Sequence, residues 1–153
     1  MFNRKKPIDR LRGLGHGGRL RLFGPTVSGP ISRIRVSSTV GLSNVVINTI
    51  CGSVDIRDHV FFGYDVLLLT GTHDFRETGQ RRQLNRKTED RNIVIESGAW
   101  IASRAIIIGP CRIGMNAVIG SGCIIDFDVP ADTVVRVRQE VTMNAIRYSG
   151  SEQ

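Results

Sequence analysis

From residue 95 to 125 the apolar positions recur every six residues: Ile95, Ile101, Ile107, Ile113, Ile119 and Ile125. Four residues after each stands a small or slim side chain: Ala99, Ala105, Cys111, Ala117, Cys123 and Val129. A period of six matches neither a helix, at 3.6 residues per turn, nor a plain strand, at two. It predicts a coil of short flat strands joined by sharp corners, with one isoleucine per strand turned inward. Stacked turn on turn, those β-branched groups favour extended backbone and fill the interior. The second slot falls near a corner, where a large side chain would strike the chain above it. Gly114 and Gly120, each just after a core isoleucine, are expected to supply the backbone freedom that tight turning needs. The expected fold class is all-β, a single parallel β-helix of hexapeptide repeats.

An earlier run carries the same pattern less cleanly. Ile50, Ile56, Phe62 and Leu68 are expected in the inward slot, with Val54, Val60 and Val66 in the second; upstream, Ile34, Val40 and Val46 keep the period in a shifted frame. The two runs are out of phase, because Leu68 to Ile95 is not a multiple of six. The residues between must be looped out, and the polar, charge-rich segment 71–92 fits as a structureless excursion. A loop that long within a compact domain is more often functional than idle. The expected organisation is a basic arm at 1–30, the coil at 31–135 with its loop at 71–92, and a tail at 136–153.

Charge changes the picture only once it is located. The net charge is +7, yet residues 1–23 hold seven basic side chains (Arg4, Lys5, Lys6, Arg10, Arg12, Arg19, Arg21) against Asp9, leaving +1 for everything else. A nearly neutral body thus carries a basic arm, suited to solubility or to loose contact with an anionic surface, sugar nucleotide or other polyanion. Nucleic acid is the weaker partner, since aromatic residues are scarce in the arm and no helix-turn-helix or zinc pattern appears. No apolar segment is long enough to span a bilayer, and the start is too basic and glycine-rich for a signal peptide. The expected location is cytoplasmic, with peripheral contact at the inner membrane face through the arm. Three cysteines, two of them in small core slots, read as reduced packing residues, and no Cys/His cluster calls for a metal.

Of three histidines, His16 lies in a glycine-rich run of the arm and His59 in a corner sequence, Arg57-Asp58-His59-Val60. Both read as surface residues. His73 differs, because Thr70-Gly71-Thr72-His73-Asp74 follows the last strand of the first run, where rigid coil passes into the charged loop. A histidine held by a rigid element beside a loop is well placed for general-base work.

The order of motifs around it resembles the hexapeptide-repeat acyltransferases of the left-handed β-helix fold, specifically the sugar O-acetyltransferases. The likeness runs from about Val45 to Val135. It rests on Asn48, on Ile56-Arg57-Asp58-His59-Val60-Phe61-Phe62-Gly63, and on the His73 segment. Beyond the loop come Ile93-Val94-Ile95-Glu96-Ser97-Gly98-Ala99-Trp100-Ile101-Ala102, Gly120-Ser121-Gly122-Cys123-Ile124-Ile125 and Asp128-Val129-Pro130. The resemblance implies a left-handed coil, a homotrimer and an acetyl-CoA cleft between adjacent coils. It also implies His73 as the base that takes a proton from an acceptor hydroxyl. Asn48 would bind the acceptor or orient the histidine, Trp100 would wall the site, and Asp74 would orient His73. Ala102, Gly120, Arg136 and Arg138 would meet the acyl donor. The implied function is acetyl-CoA-dependent O-acetylation of a sugar hydroxyl, in surface polysaccharide or glycolipid assembly.

One departure stands out. After Asp-Val-Pro the family continues Val-x-Gly-x-Pro-Ala, whereas here Thr133-Val134-Val135-Arg136-Val137-Arg138-Gln139-Glu140 follows. That change motivates the alternative reading, a non-catalytic scaffold that has lost CoA binding. Two further rivals are a zinc carbonic anhydrase, which the spacing of the three histidines does not fit, and covalent catalysis by cysteine, which the packing slots disfavour.

Overall fold

The computed structural model describes residues 24–86, 90–138 and 142–145; most of the expected arm, with His16, lies outside them. The strands are β1 Thr26–Ser28, β2 Ile34–Val36, β3 Val46–Asn48, β4 Val54–Ile56, β5 Phe61–Phe62, β6 Leu67–Leu69, β7 Ile93–Ile95, β8 Trp100–Ile101, β9 Ile106–Ile108, β10 Cys111–Ile113, β11 Val118–Ile119, β12 Ile124–Ile125 and β13 Val134–Val135. A 3₁₀ turn at Ile31–Arg33 and one short helix, α1 at Gly79–Leu84, complete the elements. All strand pairs are parallel and form three sheets, the faces of a prism. Face I stacks β2, β4, β7 and β10; face II stacks β5, β8, β11 and β13; face III stacks β1, β3, β6, β9 and β12. From β4 to β12 the strands visit them in the order I, II, III, turn after turn.

The isoleucine run occupies the axis as its spacing requires, with Ile95, Ile101, Ile107, Ile113, Ile119 and Ile125 all buried and Ala99, Ala105, Cys111, Ala117, Cys123 and Val129 buried beside them. Ile93 pairs with Cys111 and Ile106 with Ile124, each eighteen residues on, so three six-residue sides close one turn. Each buried isoleucine contributes about 1.5–3 kcal/mol of transfer free energy.

The first run departs from strict period. Ile34 pairs with Val54 at a separation of twenty, and Val46 with Leu67 at twenty-one. The extra residues shift the frame. Ile50 is only half-buried, and Thr49 and Cys51 take the inward positions at that corner. Val46 likewise faces outward beside the buried Ile47. The coil also starts earlier than expected, since β1 pairs with β3 inside the segment assigned to the arm.

Corners are built by residues in the left-handed region. Asn44, Asp65, Arg104 and Gly122 stack along the edge between faces II and III, and His59, Gly98, Asn116 and Asp132 along the edge between I and II, with φ between 49° and 75°. Asn, Asp and Gly tolerate that region best, which explains most of these identities. Gly114 and Gly120 are not among them; a side chain at Gly120 would meet the Val135 carbonyl at 3.0 Å, so these glycines make room for the next turn.

Face I carries the ion pairs of the coil itself. Glu96, on the turn after the interruption, joins Arg57 at 2.5 Å on the turn before it and Arg112 on the turn after. This triad staples the coil across its interruption. Replacing Glu96 with Gln should cost about 1–3 kcal/mol in urea unfolding, at the low end because both arginines are half-exposed. Arg35→Ala, which breaks only the exposed 3.5 Å pair with Asp55, should change stability by less than about 0.5 kcal/mol. Cys51, Cys111 and Cys123 are buried free thiols. Burial, then Asp128 and Asp126, push Cys111 up from 9.0 to about 12. Above about pH 9 the unfolded chain releases this proton while the folded chain keeps it. Stability should therefore be full below that pH and fall toward pH 12, a slope that Cys111→Ala should flatten in unfolding curves at stepped alkaline pH.

Candidate active site

β6 leaves face III into Thr70, which is fully buried. Its amide and hydroxyl both donate to the Asn48 carbonyl, at 3.1 and 2.9 Å, and its Oγ1 accepts from the Cys51 amide at 3.2 Å. A buried hydroxyl without such partners would be costly. At the loop's far end, Arg91 Nε donates to the Thr70 carbonyl at 2.9 Å, so exit and return are tied together. The returning chain passes Gly52 closely, since a Cβ there would stand 2.5 Å from the Arg91 carbonyl.

On this anchored root the structure brings Asn48 and the His73 segment together. Asn48 ends β3 directly beside Leu69, and a Cβ on Gly71 would lie 2.8 Å from Asn48 Oδ1. That oxygen accepts from the Ile50 amide at 3.1 Å, which leaves the Nδ2 hydrogens to serve an incoming group.

The described residues of the loop carry regular structure, contrary to the expected structureless excursion. His73 forms an antiparallel bridge with Arg86, and α1 fills the turn between them. A short helix leaves its last carbonyls without intrahelical partners. The Asn85 amide takes the Arg81 carbonyl at 2.8 Å, and His73 Nδ1 lies 2.8 Å from the Arg82 carbonyl. A carbonyl can only accept, so Nδ1 carries the hydrogen, and in the neutral ring the lone pair is then on Nε2. The carboxylate of Asp74 engages Arg76 through Nε and Nη2, both at 2.9 Å. Orientation of the ring therefore comes from the Arg82 carbonyl.

The other expected site residues lie elsewhere on the prism. Trp100 is on face II, about two-fifths exposed, stacked on Phe61 with ring centroids 5.6 Å apart and planes 14° apart. Within one chain the structure does not bring it to His73. Ala102, Gly120 and Arg136 stack on successive turns at the start of the edge between faces II and III: Ala102 N donates to Ile119 O and Gly120 N to Val135 O, and a Cβ on Gly120 would stand 3.2 Å from Arg136 Cβ. Ala102 is buried. Arg138 is exposed beyond β13. Along the same edge runs an open groove of about 530 Å³ lined by Tyr64, Asp65, Ser103, Arg104, Ser121 and Gly122.

Sequence reasoning passed over Thr70, Arg82, Arg91 and Phe61. Thr70 and Phe61 were within reach. Thr70 stands two residues beyond the inward Leu68, and Phe61 becomes the register partner of Trp100 once the loop is subtracted. Nothing in the spacing marks Arg82 or Arg91.

Residues 92–126 match the family described as bacterial transferase hexapeptide (six repeats). Galactoside O-acetyltransferase of Lactococcus lactis is 35% identical over 83 residues, which cover 52% of this chain and 37% of that protein. The bifunctional protein GlmU of Rhizobium rhizogenes is 43% identical over 51 residues, 32% of this chain and 11% of that one. The chain thus spans little more than a third of the first of these relatives and about a tenth of the second. Among solved structures, a hexapeptide-repeat-containing acetyltransferase from Vibrio cholerae, complexed with acetyl coenzyme A, superposes with a TM-score of 0.62 at 27% identity, over 71% of this chain and 58% of that one. Repeat, prism and neighbours agree on the fold: a left-handed β-helix of hexapeptide repeats, similar to that of the hexapeptide-repeat acetyltransferases.

Proposed function

We propose that the protein transfers an acetyl group from acetyl-CoA to a sugar hydroxyl, with His73 as general base. The observation that carries this reading is the His73 ring itself, whose Nδ1–H is spent on the Arg82 carbonyl so that Nε2 is presented with its lone pair. In the proposed step an acceptor O–H gives its proton to Nε2 as the oxygen forms a bond to the thioester carbonyl carbon. The C–S bond then breaks, and the CoA sulfur takes the proton back from the imidazolium. Asn48 Nδ2, beside Gly71 at the loop root, is available to hold the acceptor.

The groove between faces II and III suits the donor. It is open, and it offers the hydroxyls of Ser103, Ser121 and Tyr64 with the guanidinium of Arg104. Arg136 stands at its margin. His73, however, belongs to the opposite edge of face III, a strand's length of about 10 Å away. We therefore place the working site between copies, with the His73 edge of one against the groove of the next. Such a head-to-tail contact closes into a ring, and a triangular prism suits three. Face composition supports the arrangement. Face II turns Phe61, Trp100 and Val134 outward and face III turns Ile124 outward, all well exposed, whereas face I displays Arg35, Asp55 and Arg112 with the half-buried Val94 among them. The sugar acceptor follows from the likeness to the Lactococcus enzyme. A role in surface glycan assembly at the cytoplasmic face of the membrane extends it, through the basic residues before Gly24.

Calorimetry should show acetyl-CoA binding, and thiol release with a panel of sugars should fall about 10²–10⁴-fold in His73→Ala. Absence of CoA binding would transfer the protein to the scaffold reading that the altered closing segment motivates, and normal turnover by folded His73→Ala would sink the mechanism. Equilibrium sedimentation should give three copies per particle; an active monomer would refute the shared site.

A further inference from the structure

We infer that Arg82 is a positioning residue for His73, acting through its own backbone carbonyl. The inference rests on the proposed role of His73, and its structural half can be tested without that role.

α1 has six residues and none of them is buried. A helix so short gains little from its own hydrogen bonds and here gains nothing from a packed face. Yet its Arg82 carbonyl must stand still if it is to hold the imidazole. The Arg82 guanidinium supplies the restraint. Nε donates to the Glu77 carbonyl at 2.6 Å and Nη2 to the Phe75 carbonyl at 3.1 Å, closing the segment that leads from His73 into the helix. The same residue's carbonyl then accepts from Nδ1 at 2.8 Å. One residue thus pins both sides of the loop: side chain to the outgoing limb, main chain to the histidine. The planar guanidinium suits two carbonyls at a fixed angle in a way that a lysine ammonium does not. Neighbouring arginines have other tasks, Arg76 on Asp74 and Arg91 on Thr70.

Without the clamp, the carbonyl would wander from Nδ1 and the ring would exchange between tautomers. In the tautomer with hydrogen on Nε2, no lone pair faces the acceptor. The loss should therefore fall on turnover rather than on donor binding, because the clamp bonds only to main-chain carbonyls of its own loop and to His73.

The test combines imidazole ¹⁵N NMR of His73 with steady-state kinetics for wild type, Arg82→Ala and Arg82→Lys. Wild type should show protonated Nδ1 and unprotonated Nε2 once the ring is neutral. Arg82→Ala should show a mixture of tautomers, a kcat lower by about ten- to a hundredfold, and a KM for acetyl-CoA within about twofold of wild type. Thermal unfolding should hardly move, since α1 contributes nothing to the core. Arg82→Lys should fall between. An Arg82→Ala protein with the wild-type tautomer overturns the inference, whether or not kcat falls. If His73→Ala is fully active, the proposed chemistry fails, while the tautomer readout still decides whether Arg82 fixes the ring.

Discussion

Each turn of this coil is held by parallel hydrogen bonding to the turn before it, in a register that any interruption must recover. Later turns repeat at eighteen residues, and across the interruption Val54 pairs with Ile93, Phe61 with Trp100 and Leu67 with Ile106, each thirty-nine residues on. The insertion is therefore tolerated because the returning strand lands on the same face in the same register. A slip of one residue would turn Ile93 and Ile95 outward and present Val94 to the axis. The close passage of Arg91 by Gly52, the Arg91–Thr70 hydrogen bond and the Glu96 triad all act where that register is at risk.

The same constraint makes the loop useful. A rigid prism offers few places where side chains can approach one another outside the core, because its faces present flat rows two residues apart. At the interruption the chain is free to leave, fold back and present His73 over a root fixed by Thr70 and Asn48. Rigidity comes from the scaffold, and the chemistry proposed for His73 rests on the excursion. The short helix within it matters less for packing than for its C-terminal carbonyls, one of which lies 2.8 Å from His73 Nδ1.

The faces divide the remaining labour. Face I is closed by ion pairs and has the composition of a solvated surface, whereas faces II and III carry outward aromatic and aliphatic rows. The groove at their shared edge exists because Ser103, Ser121 and Gly122 are small where Tyr64 projects, and its corner residues adopt positive φ to make the bend. That edge, recessed and flanked by apolar faces, is the one the proposal gives to the donor and a second copy.

The six-residue period determined the prism and its core by itself, because one inward side chain per short strand has no other periodic solution. The phase break between Leu68 and Ile95 likewise disclosed the loop and its histidine. What the sequence could not determine were the places where period and geometry part. Ile50 was assigned inward, yet the corner holds extra residues and Cys51 and Thr49 took that place. The pattern makes Gly114 and Gly120 turn-makers, yet the turns are made by Asn, Asp, Arg, His, Gly98 and Gly122 at positive φ, and Gly114 and Gly120 serve the neighbouring turn. Asp74 was read as the partner of His73, yet a backbone carbonyl nine residues on has that task. Contacts of this kind join residues through the folded path of a loop, where no repeat dictates which atoms meet, so only the tertiary structure could decide them.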